Sequence, residues 1–233
     1  MQMPTWLMTS FAAVAAAAFA STAATAEPRP VVVELFTSQG CSSCPPADAL
    51  LAELARRDGV LALGFHISYW DRLGWKDPLS SEASTERQQA YARRFNGGQV
   101  YTPQLVIDGT REMVGSDRSA VLAALHDSKP EAVAPVTLAA DRRSVAIGKG
   151  VGNGEVLLVR FARQRTTHVG AGENSGRTLD DANGVEALTR LGAWDGSAAQ
   201  FPVAPPTAGE GIAILVQAPD GKMLGAAMAL AAR

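Results

Sequence analysis

Residues 31–57 read VVVELFTSQGCSSCPPADALLAELARR. Val31 to Thr37 is apolar and β-branched, the composition of a buried strand. Ser38-Gln39-Gly40 is a loop, and Cys41 and Cys44 follow it. From Ala47 to Arg57, the residues Ala47, Leu50, Leu51, Leu54 and Ala55 recur at helical spacing. Pro45 and Pro46 suit a helix's first turn, where the N–H groups have no intrahelical partner. The two cysteines therefore sit where a strand hands over to a helix.

Working outward, Val60 to Ser68 (VLALGFHIS) predicts a second strand, followed by a polar and aromatic loop from Tyr69 to Ser81. Glu82 to Phe95 predicts a helix stopped by Asn96-Gly97-Gly98. Pro103 to Asp108 and Glu112 to Val114 predict two strands around a Gly109-Thr110 turn. Ser116 is the expected cap of a helix through Val121, Leu122 and Leu125. The order over residues 31–128 is β-α-β-α-β-β-α. After Lys129-Pro130 the texture is that of strands: Val136 to Ala139, Ser144 to Ile147, Glu155 to Phe161, Gly211 to Gln217 and Met223 to Ala231. Pro219-Asp220-Gly221 is a hairpin signal, and one short helix is expected around Val185 to Leu191.

Upstream, residues 1–26 carry no charged side chain. Their apolar run ends in Ala24-Thr25-Ala26, a small-x-small tripeptide. This reads as a secretory signal cut after Ala26, although no Lys or Arg precedes the run. The expected organisation is a signal peptide at 1–26, an α/β domain at 27–129 and a β-rich, sandwich-like domain at 130–233. The expected location is periplasmic or secreted, where disulfides persist. No later stretch is long and apolar enough to span a bilayer, so no membrane association is expected after cleavage.

The 233 residues are 47% hydrophobic and 19% charged, with a formal net charge of -2. That balance lacks the basic stripe a nucleic-acid partner would need. Two cysteines are too few for a disulfide scaffold, and a closed zinc site needs about four ligands. A Cys-x-x-Cys at a helix start has another use. Free N–H groups and the positive helix end favour a thiolate there. Cys41 is the expected attacking thiol, and Cys44 the resolving thiol that releases the substrate.

Thr102-Pro103 opens the third strand, where an X-Pro bond can be cis; a plain strand start is the alternative. The succession of strand, Cys-x-x-Cys, helix, strand, helix, X-Pro, hairpin and helix resembles the thioredoxin superfamily. The resemblance implies a thioredoxin-like α/β fold. It places Pro103 and its neighbour Thr102 beside the disulfide as substrate-binding residues. It also makes Glu34 a buried acid that takes the resolving thiol's proton. Strand alternation does not say which face Glu34 takes, because buried parallel strands are apolar on both. The sequence departs from ordinary thioredoxins at Gly40, where a tryptophan usually precedes the first cysteine.

A narrower resemblance rests on GCSSCPPAD, FHISYWDRLGWKDP, Arg87-Gln88, VYTPQLVIDG and HVGAGENSGRTLDDANGVEALTRLGAWDG. Together these are similar to the secreted bacterial thioredoxin-like family known as domain of unknown function 1223. That family carries no established activity to transfer.

Tyr69, Trp70 and Trp75 are candidates for ligand contact or for a packed lid, and Tyr69 and Trp70 join the expected substrate-binding set. Asp71 and Asp77 read as turn and cap residues. Glu173, Asn174 and Arg177 lie in a glycine-rich loop that reads as a chain reversal. Three functions are in competition. The first is a thiol-disulfide oxidoreductase acting on exported proteins or small thiols with a redox partner protein. The second is a copper-binding protein or metallochaperone using Cys41, Cys44 and His66, since Cu(I) favours soft ligands; a packed core histidine is the plainer reading of His66. The third is a non-enzymatic binding protein with a structural disulfide. No nucleotide fingerprint occurs, so no cofactor is expected.

Overall fold

A computed structural model describes residues 29–231 of the chain; the signal segment expected at 1–26 lies outside them. The elements are β1 (Val31–Thr37), α1 (Pro45–Leu54), β2 (Val60–His66), α2 (Glu82–Phe95), β3 (Gln104–Ile107), β4 (Arg111–Val114) and α3 (Arg118–His126). Strands β5 (Val136–Leu138), β6 (Ser144–Ile147), β7 (Gly154–His168), β8 (Thr178–Trp194), β9 (Ala199–Pro202), β10 (Glu210–Gln217) and β11 (Met223–Leu230) follow. The β-α-β-α-β-β-α order expected of the first half is present.

Eight strands form one mixed sheet in the order β11-β10-β7-β8-β2-β1-β3-β4, and β5, β6 and β9 form a second. Strands β7, β8, β10 and β11 thus extend the sheet begun by β1. The join is a parallel bridge, Gly64 to Gly184. A Cβ on Gly184 would lie 2.8 Å from Leu79 Cδ1, so a larger residue there would displace the end of the Leu79 side chain. Asn183, at φ 48°, donates its side-chain amide to Ala62 O at 2.8 Å and stitches the join.

Side chains alternate across the sheet. Val33 and Leu35 meet Leu50, Leu51 and Leu54 of α1 and Val121 of α3. Val32 and Phe36 point the other way, into a core with Phe65, Tyr91 of α2, Phe161 and Leu215. Val145 and Ile147 of the small sheet share a third core with Val156, Leu158, Ile212 and Ile214.

Two local expectations are corrected. The helix expected at 185–191 is strand, because β8 runs unbroken past it. Ala187, Leu188 and Arg190 favour helix intrinsically, but they pair with Arg160, Val159 and Leu157 of β7. Cross-strand pairing and burial outweigh a preference worth tenths of a kcal/mol per residue. The cap of α3 is Asp117, whose carboxylate accepts from Ala120 N–H at 3.0 Å, one residue beyond Ser116.

Candidate functional site

Cys41 and Cys44 form a disulfide at the start of α1. Cys44 is the N-cap residue, with Pro45 and Pro46 in the first turn. The N–H groups of Ala47 and Asp48 donate to Cys44 O at 2.8 and 3.1 Å. The Thr102-Pro103 peptide is cis. Thr102 Oγ1 donates to Cys41 Sγ at 3.3 Å, and Trp70 Nε1 donates to Thr102 Oγ1 at 2.9 Å. The structure therefore brings Cys41, Cys44, Thr102, Pro103 and Trp70 together. A Cβ on Gly40 would meet Trp70 Cβ at 3.5 Å. Tyr69 packs against the central core, its hydroxyl buried and unpartnered.

Both cysteines are shut in, at 1% exposure for Cys41 and 0% for Cys44. Part of the enclosure comes from far along the chain. The loop between β7 and β8 lies on the Cys-x-x-Cys segment. Asn174 Nδ2 donates to Gln39 O and Cys41 O, both at 2.9 Å. Ser42 N–H donates to Glu173 Oε2 at 2.9 Å. Arg177 Nη1 orients Asn174 by donating to its Oδ1 at 2.8 Å. Trp75 sits under the loop, and a Cβ on Gly170 would come 3.2 Å from its ring. The stretch read as a chain reversal is thus a cover for the disulfide segment.

On the same face as α1 lies an acidic cluster in which Asp77 and Asp181 are buried and Asp48 is partly buried. Thr37 and His66 are register partners on β1 and β2. Thr37 Oγ1 donates to Asp48 Oδ1 at 2.7 Å. His66 Nδ1 is 2.7 Å from Asp77 Oδ2, and Nε2 is 3.8 Å from Asp181 Oδ1. Gln39 ties the set to the cysteine loop: its N–H donates to Asp77 Oδ2 at 2.8 Å and its Nε2 to Asp181 Oδ2 at 2.6 Å. Burial alone would discharge His66, but Asp77, then Asp181 and Asp48, outweigh it and push its pKa up to about 9. Burial raises Asp48 to about 7 despite His66 and Thr37. It also raises Asp181. Asp77 is the exception: the adjacent imidazole and two backbone N–H donors overcome burial and lower its pKa.

The model of the family described as protein of unknown function (DUF1223) matches residues 32–217. The chain belongs to this family. The crystal structure of protein AGR_C_4864 from Agrobacterium tumefaciens is similar, with a TM-score of 0.73 and 31% identity over 88% of this chain and 95% of that one. HBP35 of Porphyromonas gingivalis is similar in fold, with a TM-score of 0.55 and 13% identity over 87% of this chain and 75% of that one. No curated protein matches.

Two expected sets of site residues in this DUF1223 protein are corrected. Glu34 sits on β1 between Val33 and Leu35, so it takes the face opposite α1. There Arg87 Nε donates to Glu34 Oε1 and Tyr91 OH to Oε2, both at 2.5 Å. It is a partner of α2, with its lone pairs committed away from Cys44. The alternative metal set of Cys41, Cys44 and His66 does not converge. The cysteines are bonded to each other, and His66 is engaged by two carboxylates. Among the described residues, no three His, Cys, Asp or Glu side chains stand close enough to hold a metal ion. A cleft of about 620 Å³, bordered by Arg87, Tyr91 and Gln217, opens on the Glu34 side, away from the disulfide.

Sequence reasoning passed over Asp48, Gln39 and Asp181, and read Asn174 and Glu173 as loop residues. Asp48 had a local signal: it lies four residues after Cys44, hence one helical turn along the same face. The others are brought in by long-range contacts with no local signature.

Proposed function

We propose that this protein is a secreted, thioredoxin-like thiol-disulfide oxidoreductase that exchanges electrons through Cys41 and Cys44. The observation that carries the reading is the disulfide at the start of α1, with Thr102, next to cis-Pro103, donating to Cys41 Sγ. The β-α-β-α-β-β-α order and the signal-like 1–26 segment support it. The substrates are thiols or disulfides of exported proteins, or a small thiol.

In the oxidising direction a substrate thiolate attacks Cys41 Sγ. The Cys41–Cys44 bond breaks, Cys44 leaves as a thiolate and takes up a proton, and a mixed disulfide forms. A second substrate thiolate attacks the substrate sulfur of that bond, and Cys41 leaves as the thiolate. The substrate has lost two electrons and the protein has gained them; a partner disulfide returns the protein to its starting state. With a partner dithiol as electron donor, the same steps run in reverse. The helix start favours the Cys41 thiolate in both directions.

The test is equilibration of the full chain against glutathione. An exchangeable centre gives a potential above about -250 mV, and Cys41→Ser abolishes turnover of a substrate disulfide. A potential below about -300 mV with slow alkylation identifies a structural disulfide and ends the oxidoreductase reading.

A further inference from the structure

We propose that the β7–β8 loop is a clasp that keeps the Cys41–Cys44 disulfide closed, with Asn174 as its plug and Glu173 as the charge that opposes a Cys41 thiolate. The inference rests on the oxidoreductase reading of the same site and adds its control. Exchange requires a thiolate to approach Cys41 Sγ from outside along the S–S axis. At 1% exposure that approach is blocked. The loop fastens the chain before, at and after Cys41, through Gln39 O, Cys41 O and Ser42 N–H. Opening the site means releasing these bonds.

The loop is built to release. Asn174 is 1% exposed, whereas Glu173, Ser175, Gly176 and Arg177 around it are exposed. Val169, fully buried, anchors the root of the loop, and Asn174 is the buried side chain that fastens its tip to the cysteine segment. Gly172 and Gly176, at φ 74° and 80°, occupy backbone conformations that other residues resist. Two buried hydrogen bonds and one exposed, charge-assisted one join the loop tip to the cysteine segment, a set that thermal opening or a docking partner can break.

Glu173 adds a second effect. The Ser42 N–H is the first amide after Cys41, one of the donors that a thiolate at this helix start would use. In the closed clasp a carboxylate already holds it, which places a negative charge at the residue that follows Cys41. Closing thus slows attack and favours the disulfide over the dithiol form. Removing the charge makes the couple more oxidising.

The experiment is stopped-flow reduction of the full chain by dithiothreitol at neutral pH, with the potential measured against glutathione. Asn174→Ala is expected to reduce about tenfold faster than wild type, the signature of a lost closed state. Glu173→Gln keeps an acceptor for Ser42 N–H but drops the charge. It is expected to raise the potential by up to about 30 mV, a tenfold change in the equilibrium constant. Circular dichroism checks that each variant is folded. If Asn174→Ala does not fold, Glu173→Ala, altered at an exposed position, decides in its place: a several-fold faster rate supports the clasp. Unchanged rates in the folded variants overturn it. Fast reduction of Asn174→Ala with a potential below about -300 mV keeps the clasp and ends the oxidoreductase reading. Unchanged rates with an exchangeable potential do the reverse.

Discussion

The two faces of the central sheet both bury charge, in opposite balance. On the α2 face one carboxylate, Glu34, meets one guanidinium, Arg87, and the remaining bonds are filled. Arg87 Nη1 donates to Gln217 Oε1 at 3.1 Å, and Gln217 Nε2 donates to Tyr91 OH at 2.8 Å. The guanidinium also lies over the Phe65 and Tyr91 rings, at 5.5 and 5.4 Å from their centroids. This set links β1, α2 and β10 and has no charge left over. On the α1 face one imidazole, His66, stands against two carboxylates, Asp77 and Asp181, with Asp48 acting on it at longer range. Burial first, and the neighbouring Asp181 and Asp77 after it, raise Asp48 to about 7 against the pull of His66 and Thr37. A matched pair fixes elements in place; in the unmatched cluster burial favours the protonated form of Asp48 and Asp181. The excess lies on the face that carries the disulfide.

The sharpest way to break this comparison is to unbalance the balanced face. Arg87→Met leaves Glu34 buried without its cation and is expected to cost about 3–5 kcal/mol in urea denaturation. Replacing both, Glu34→Leu with Arg87→Met, is expected to recover most of that loss, because an apolar pair of similar volume is often neutral. The dithiothreitol reduction rate of the folded variant should stay at the wild-type value. A single-variant cost below about 1 kcal/mol would show that the pair is not what joins α2 to β1.

The unbalanced face is tested by pH. The folded His66 has its pKa at about 9 against 6.5 for the free group. Its contribution is complete below about 6.5 and is lost as pH rises through 9, a span of about 3 kcal/mol. Asp48, raised from 3.8 to about 7, acts in the same direction, since the folded state holds its proton and loses that advantage as pH rises through 7. Raised Asp181 adds to this trend. Asp77 is lowered, so its contribution holds above 3.8 and is lost as pH falls through its depressed value. Urea midpoints are therefore expected to fall from about pH 5 to about pH 9, and to fall again in strong acid. His66→Gln should flatten the alkaline arm. A midpoint that rises between pH 5 and 9 is incompatible with the cluster's charge balance.

The same comparison explains what could be read from the chain. Residues 31–54 were legible because proline placement and apolar spacing are local signals, and they place the cysteine pair correctly. The face chosen by Glu34 was not legible, because β1 is apolar on both sides and only the packing of α1 and α2 assigns one to each. The β8 segment misled because GVEALTRL carries helix formers, while its fate was settled by its long pairing with β7. The clasp lies furthest from any local rule. Asn174 reaches Cys41 O across 133 residues of sequence, and nothing around Asn174 beyond its glycines announces that contact. Contacts of this kind join the two halves of the sheet, so they appear only once the Gly64–Gly184 join is known.

The smallest effect separates a structural hydroxyl from one that tunes the acid. Thr37→Val removes the donor to Asp48 Oδ1 and keeps the side-chain shape. If Asp48 is neutral at pH 5 and ionised at pH 8, the lost bond is an ordinary one in acid and a charge-assisted one in base. The expected cost is about 1 kcal/mol at the lower pH and about 2 kcal/mol at the higher. The donor favours the ionised carboxyl, so its loss should also move the Asp48 titration further above 7, as followed by carboxyl NMR. Equal costs at both pH values, with an unmoved titration, would mean that Asp48 does not change charge in this range. The acid-rich face would then hold its proton elsewhere, with Asp181 the remaining carboxyl of raised pKa.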